Sequence, residues 1–435
     1  MEPAAAAPEL PRSPLHSPAA ALAILTLINL FNYIDRYVIS AIQPRIKDAL
    51  ALSDGQLGVL SSSFIVVYML TSPFFGRLGD TGSRRGLIAL GVSVWSLATA
   101  SAGLARSFGE IFMARAAVGI GEAAYGTISP SLLADFFPPE KRGRVFAVFF
   151  AAIPIGSALG YVLGGVVEAH FGWRWAFFIV GLPGLLLAAT VFALREPPRG
   201  GQDGGARPPG HGHGPVAGGA LQAYLGCLRI RAYTMTVLGY AAYTFALGGL
   251  AIWMPTFLER VRGVALERAN FVFGGMTVVS GFLGTFAGGF TGDRLLARGV
   301  RQPYLLVSGL ATALAIPAAA AALLLPGPGS FYPAIFLAEL LLFVSTGPIN
   351  AVIVDVVPPE RRATAVALSI LAIHLLGDAI SPPIIGFASD RLGLETAVMI
   401  VPVAVAVAAA IWTAAALTGP RSRTPDAPAD AATPA

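Results

Sequence analysis

Four ionisable residues fall inside apolar stretches where charge is costly. Asp35 and Arg36 stand side by side in NYIDRYVIS, residues 32 to 40, and Arg115 and Glu122 lie seven residues apart in IFMARAAVGIGEAAYG. Seven residues are about two helical turns, so Arg115 and Glu122 share one face of a helix, whereas Asp35 and Arg36 diverge by about 100°. Desolvation favours the neutral form of a carboxyl and a nearby base favours its charged form, so such acids are poised to bind and release a proton. The spacing predicts that Arg115 pairs with Asp35, while Arg36 reaches either Glu122 or an internal cavity. Glu122 is the first choice for a proton carrier, with Asp35 orienting Arg115.

The elements that hold these residues follow from composition. The 435 residues are 55% hydrophobic and only 12% charged, and about 20 apolar residues cross a bilayer core. Twelve such runs are expected, roughly 20–43, 56–78, 85–105, 108–134, 144–168, 174–195, 231–258, 269–292, 302–325, 331–355, 363–388 and 394–418. An even number places both termini on one side. Arg77, Arg84, Arg85, Lys141, Arg142, Arg144, Arg361 and Arg362 fall on that side, which the positive-inside bias assigns to the cytoplasm. The net charge of +5 is therefore a matter of topology and calls for no nucleic-acid partner. The first run is too long for a signal-peptide core and reads as a retained span. The single Cys227 excludes an intrachain disulfide.

A Gly- and Pro-rich stretch, residues 195–219, separates six spans from six and reads as a flexible linker. Its His211 and His213 have no companion ligands and do not make a metal site. The halves repeat each other: DFFPPEKR at 135–142 matches DVVPPERR at 355–362, Gly156 onward aligns with Gly377 onward, and Asp80 is matched by Asp293. The expected organisation is a tail over 1–18, a six-helix bundle over 19–195, a linker over 196–230, a second bundle over 231–418 and a tail over 419–435. Parallel six-span repeats with a mid-membrane site between them resemble the major facilitator superfamily. The expected fold is thus an all-α membrane protein with twelve transmembrane helices in two pseudo-repeat bundles.

GRLGDTGSRR, residues 76–85, resembles the superfamily's signature loop, although Thr81 stands where a base is usual. Asp80 is expected to pair with Arg84, Arg85 or Arg142 and, with Asp293 in the second copy, to latch the terminal side. Gly156, Gly160, Gly164 and Gly165 approach an antiporter pattern but lack its proline, and read as helix-packing positions. The second half is poorer in charge, offering Glu339, Asn350, His374 and Asp378, the last two on one helical face. Tyr240, Tyr243, Phe245 and Trp253 add aromatic surface, so that an apolar second half faces a charged first half.

NYIDRYVIS, the span-four segment ending in PPEKRGR, GGLAIWMPTFLER and HLLGDAISPPIIGFASD together resemble the spinster branch of the superfamily. The resemblance implies a transporter, not an enzyme, located in a bacterial inner membrane and needing no cofactor and no metal. It implies proton coupling through Asp35, Arg36, Arg115, Glu122 and His374. An amphipathic, lysophospholipid- or sphingolipid-like substrate would then meet Arg36, Arg115, Tyr125, Tyr243, Phe245, Asn350, His374 and Asp378. The expected partners are that substrate, protons and the bilayer, with the chain acting as a monomer. The N-Y-x-D-R element also occurs in organic-anion transporters, so an organic-anion/proton symporter and a drug-type efflux antiporter stay open.

Overall fold

The computed structural model describes residues 17–199, 202, 219–358 and 361–418. Both tails and most of the linker, including His211 and His213, lie outside them. Among the described residues, the regular secondary structure is all helical, with short loops between helices and no strand. In the first half run α1 (Pro18–Leu50), α2 (Asp54–Thr81), α3 (Arg84–Ala102), α4 (Phe108–Phe136), α5 (Pro139–Phe171) and α6 (Trp173–Phe192). A short helix, α7 (Gly219–Leu228), precedes α8 (Arg231–Arg260), α9 (Leu266–Ala297) and α10 (Pro303–Leu324). The tenth span is broken into α11 (Pro328–Phe343) and α12 (Thr346–Asp355). The eleventh comprises α13 (Arg362–Ile373), a π-helical turn (His374–Asp378) and α14 (Ser381–Leu392); α15 (Leu394–Ala397) and α16 (Ile400–Thr418) close the chain.

Eleven of these helical segments are long and apolar enough to cross a membrane. The twelfth expected span, α4, is 29 residues long. Its Glu110, Arg115, Glu122 and Asp135 lower its apolarity; Glu110 is exposed in the first turn, whereas Arg115, Glu122 and Asp135 are buried in a helix that packs against α2 and α3. Helix starts follow side-chain chemistry: the hydroxyls of Ser17, Ser53, Ser83 and Ser107 each accept a backbone N–H of the first turn, satisfying donors that a helix leaves unpaired.

The glycines of α5 behave as packing positions. A Cβ on Gly156 or Gly160 would lie 2.7 Å from a carbonyl oxygen of α1, and one on Gly164 would lie 2.6 Å from Ala41 Cβ, so α1 and α5 touch backbone to backbone. Tyr161, which replaces the pattern's proline, instead donates its hydroxyl to the Ala251 carbonyl of α8 at 2.6 Å, joining the two halves.

The halves meet at one end only. Termini and linker define a terminal face; among the described residues, the hydrogen bonds and ion pairs between the halves all lie toward the opposite face. There Arg260 donates twice to Asp54, at 2.8 and 3.1 Å, and Ser389 donates to the same carboxylate at 2.6 Å. Asp390 accepts the Asp54 and Gly55 amides at the start of α2, both at 2.8 Å. Arg45 bridges Glu168 and Glu259 at 2.9 Å each. Backbones close the rest: a Cβ on Gly58 would sit 2.3 Å from the Pro382 carbonyl oxygen, and one on Gly386 2.3 Å from that of Asp54. The buried core is continuous across the halves at this end, while the terminal end of the first half has a separate cluster around Leu25, Trp95 and Tyr125.

The linker is more ordered at its ends than its composition predicts. Glu196 accepts from Ser83 and from the Arg84 amide, each at 3.0 Å, and Arg199 donates to the Gly79 and Gly82 carbonyls. Helix α7 packs against α13, with Gly226 beside the Arg361 guanidinium.

Candidate functional site

Helices α1 and α4 bring the four intramembrane charges together as two pairs. Arg36 Nε donates to Glu122 Oε2 at 2.8 Å; the arginine side chain is 22% exposed and the glutamate 0%. The guanidinium also lies over Tyr33 and Phe64, each at 4.8 Å, and Tyr68 at 5.2 Å, so it keeps aromatic partners if the carboxylate releases it. Of the two destinations open to Arg36 in the sequence, the structure gives Glu122.

The second pair is looser. Arg115 Nη1 stands 3.7 Å from Asp35 Oδ1, an ionic distance too long for a hydrogen bond, with both residues buried. Thr99 of α3 donates to Asp35 Oδ2 at 2.8 Å and fixes the carboxylate from its other side. Phe64 of α2 lies between the pairs, 4.8 Å from the Arg36 guanidinium and 5.5 Å from that of Arg115. The two guanidinium groups thus share one aromatic neighbour.

In the second half, His374 Nδ1 lies 3.0 and 3.1 Å from the two Asp378 oxygens, within the π-helical turn. Asp378 lines a cavity of about 250 Å³ between the halves, together with Tyr37, Tyr161, Phe273, Phe343 and Glu339. These aromatics do the lining that the sequence assigned elsewhere. Tyr125 is buried, donates to the Leu25 carbonyl at 2.6 Å and meets Trp95 edge-on. Tyr243 is buried between Tyr240 and Trp412 and donates to the Leu342 carbonyl at 2.9 Å. Both hydroxyls are held by helix carbonyls, so these two tyrosines serve packing in this structure. Phe245 is half-buried outside the cavity lining, and exposed Asn350 donates to the Thr346 carbonyl at 2.8 Å and to the Tyr240 hydroxyl at 3.5 Å.

The expected terminal latch is not formed. Asp80 is exposed in the last turn of α2, whereas buried Arg84 pairs with Asp135 at the end of α4 and with Glu196. Arg142 donates to the Ala134 and Phe137 carbonyls, and Asp293 accepts from Tyr304 at 2.8 Å. The contacts described for Arg84, Arg142 and Asp293 lie within their own halves. Outside the spans, burial raises the Glu196 carboxyl, but the Arg84 amide and the Ser83 and Arg84 side chains outweigh it and hold the carboxyl below its ordinary value.

The pairs that Arg45, Lys47 and Arg260 make with Glu168, Glu259 and Asp54 were not anticipated from the sequence. The available signal was the glycines: Gly55, Gly58 and Gly386 mark the close approach beside which those charges pair. Among the described residues, no group of three or more His, Cys, Asp or Glu could hold a metal ion.

Comparison with known proteins places this geometry. Residues 25–374 match the family model of the Major Facilitator Superfamily. Protein spinster homolog 1 of Bos taurus is 35% identical over 392 residues, covering 86% of this chain and 73% of the relative. Protein spinster homolog 3 of Danio rerio is also 35% identical, covering 86% and 77%. The crystal structure of a bacterial homolog of the human lysosomal transporter spinster, inward-facing and unoccupied, superposes with a TM-score of 0.81 at 26% identity over 93% of this chain and 98% of that one. The chain belongs to the spinster branch of the major facilitator superfamily, a family of membrane transporters and not of enzymes.

Proposed function

We propose that the protein is a proton-coupled, alternating-access transporter of an amphipathic, lysolipid-like substrate. The observation that carries this reading is the fully buried Glu122 bonded to a partly exposed Arg36. A proton on Glu122 removes the charge that holds Arg36, and the freed guanidinium, still over Tyr33, Phe64 and Tyr68, can receive an anionic headgroup. Asp35, fixed by Thr99, keeps Arg115 in place through the exchange. The aromatic lining of the cavity accepts the apolar part of the ligand.

Lys and Arg crowd the terminal face, which we assign to the cytoplasm, with both termini there and the chain in a bacterial inner membrane. The Asp54, Arg260 and Asp390 seal then closes the outer side, and the arrangement is inward-open. Transport requires this seal to open while the terminal ends of the halves close; exposed Asp80 stands on that face, and Arg84, Arg142 and Asp293 would have to exchange the partners they hold here in order to engage. The second reading is a small organic anion held by the partly exposed Arg36 alone, since Arg36 does not line the aromatic cavity of about 250 Å³ and such a ligand would not need it.

Purified protein in proteoliposomes under an imposed pH gradient tests both. Gradient-driven uptake of a fluorescent lysolipid is expected for the wild type, and loss of the gradient dependence with residual exchange for Glu122→Gln. Coupling in Glu122→Gln equal to wild type would refute the assignment. Competition by a small aromatic acid but not by unlabelled lysolipid would favour the second reading.

A further inference from the structure

The second half contains an interior acid that the ion-pair network does not use. Glu339 on α11 is 5% exposed and, among the described residues, its side-chain hydrogen-bond partners lie on α9: Thr277 Oγ1 at 2.8 Å from Oε1 and Ser280 Oγ at 3.2 Å from Oε2. No Lys, Arg or His lines the cavity that reaches it. The titratable groups facing that cavity are Tyr37 from α1, Tyr161 from α5 and Asp378 from span eleven, with His374 bound to Asp378. From α8 the lining is Thr244, Leu247, Gly248, Leu250 and Ala251, none of them ionisable in the working range. An ionised Glu339 therefore has hydroxyl donors but no counter-charge, where a buried carboxylate ordinarily has one.

The hydroxyls have a second destination. Thr277 Oγ1 is 3.0 Å from the Phe273 carbonyl oxygen, and Ser280 Oγ is 3.3 Å from that of Thr277. Each hydroxyl has one proton and can donate to one acceptor at a time. With both turned toward the carboxyl, the group is a solvated anion; with both turned back to their own helix, Thr277 Oγ1 is left as an acceptor for a proton on Glu339. The same heavy-atom positions satisfy the charged acid and the neutral acid.

We infer that Glu339 is a second proton-binding site, one per half, with Thr277 and Ser280 as positioning residues whose hydroxyls rotate as the proton enters and leaves through the cavity. The inference rests on the reading that transport is proton-coupled, and it assigns the second half a titrating group of its own.

Infrared difference spectra of the full chain in nanodiscs, acid minus alkaline, read protonated carboxyls directly. Wild type is expected to show two buried carboxylic-acid bands that titrate. Glu339→Gln should remove one and Glu122→Gln the other, and Thr277→Val should move the frequency and midpoint of the Glu339 band alone. Loss of the Glu122 band from this picture would count against the proposed function and leave the Glu339 site standing. A Glu339→Gln spectrum with the same bands as wild type overturns the inference. So does a Glu339 band that stays unchanged from acid to alkaline pH, or a Thr277→Val band that does not move.

Discussion

The two halves repeat in sequence and differ in how they treat buried charge. In the first, two acids each face an arginine, and Phe64 stands between the pairs. In the second, Glu339 is held by hydroxyls and Asp378 by a histidine one turn away. The duplicated frame thus supports a half in which charge is stored as ion pairs and a half in which acids stand without a strong base. Removing a base should be costly in the first half, and removing an acid should cost little in the second.

The largest effect is expected from that contrast. Arg115→Ala leaves Asp35 buried and unpaired, and breaking a buried pair costs on the order of 3–5 kcal/mol. Thermal unfolding in detergent should show a marked drop in Tm, with transport abolished, and Asp35→Asn added to Arg115→Ala should restore part of the stability. Glu339→Gln removes an acid without a counter-charge and should leave Tm within a degree or two of wild type, or raise it. Equal losses for Arg115→Ala and Glu339→Gln would erase the distinction between the halves.

A smaller effect, on state populations more than on folding, is expected at the seal. A side chain on Gly58 meets backbone, since a Cβ would lie 2.3 Å from the Pro382 carbonyl oxygen, and backbone cannot swing aside as a flexible side chain can. Gly58→Leu should cost the sealed state about 1–3 kcal/mol and shift the population at least several-fold toward opening of that face. Spin labels on the α2 and α14 ends would show the longer distance gaining weight; an unchanged distance distribution would mean that helix approach at Gly58 does not control the seal.

Apolar run lengths and the even spacing of the basic clusters made the spans legible, because bilayer thickness and backbone hydrogen bonding leave a helix few alternatives. Asp35, Arg36, Arg115 and Glu122 stood out for the same reason: charge within such runs has few explanations. Glycine spacing likewise marked the α1 and α5 contact. What stayed hidden depends on which face a residue presents after two repeats dock. Tyr125 and Tyr243 look like ligand aromatics in sequence, yet their hydroxyls end on helix carbonyls, while Tyr37, Tyr161 and Phe273 turn to the cavity. The π-helical turn at His374–Asp378 interrupts the regular period of span eleven, so extrapolating faces at 100° per residue fails across it. Arg84 was paired with the wrong acid because Asp135 and Glu196 arrive from distant sequence positions.

The smallest expected effect lies at the terminal face of the first half, where charge compensation is partly exposed. Glu196 is held below its ordinary value because the donors at the start of α3 outweigh its burial. A carboxyl whose folded pKa is depressed contributes stability above its unfolded value and loses it as the pH falls through the folded one. The tie between linker and α3 should therefore be intact at neutral pH and weaken only in acid, below the ordinary glutamate value of 4.5. Glu196→Gln should remove that acid-side loss and leave a shallow, nearly pH-independent deficit, read as protease sensitivity of the linker against pH. Among the described residues, Asp293 in the second half accepts from the Tyr304 hydroxyl and from no base. Asp293→Asn should leave the same profile unmoved, and equal profiles for Glu196→Gln and Asp293→Asn would mean that the clamp on Arg84 adds nothing to the asymmetry between the halves.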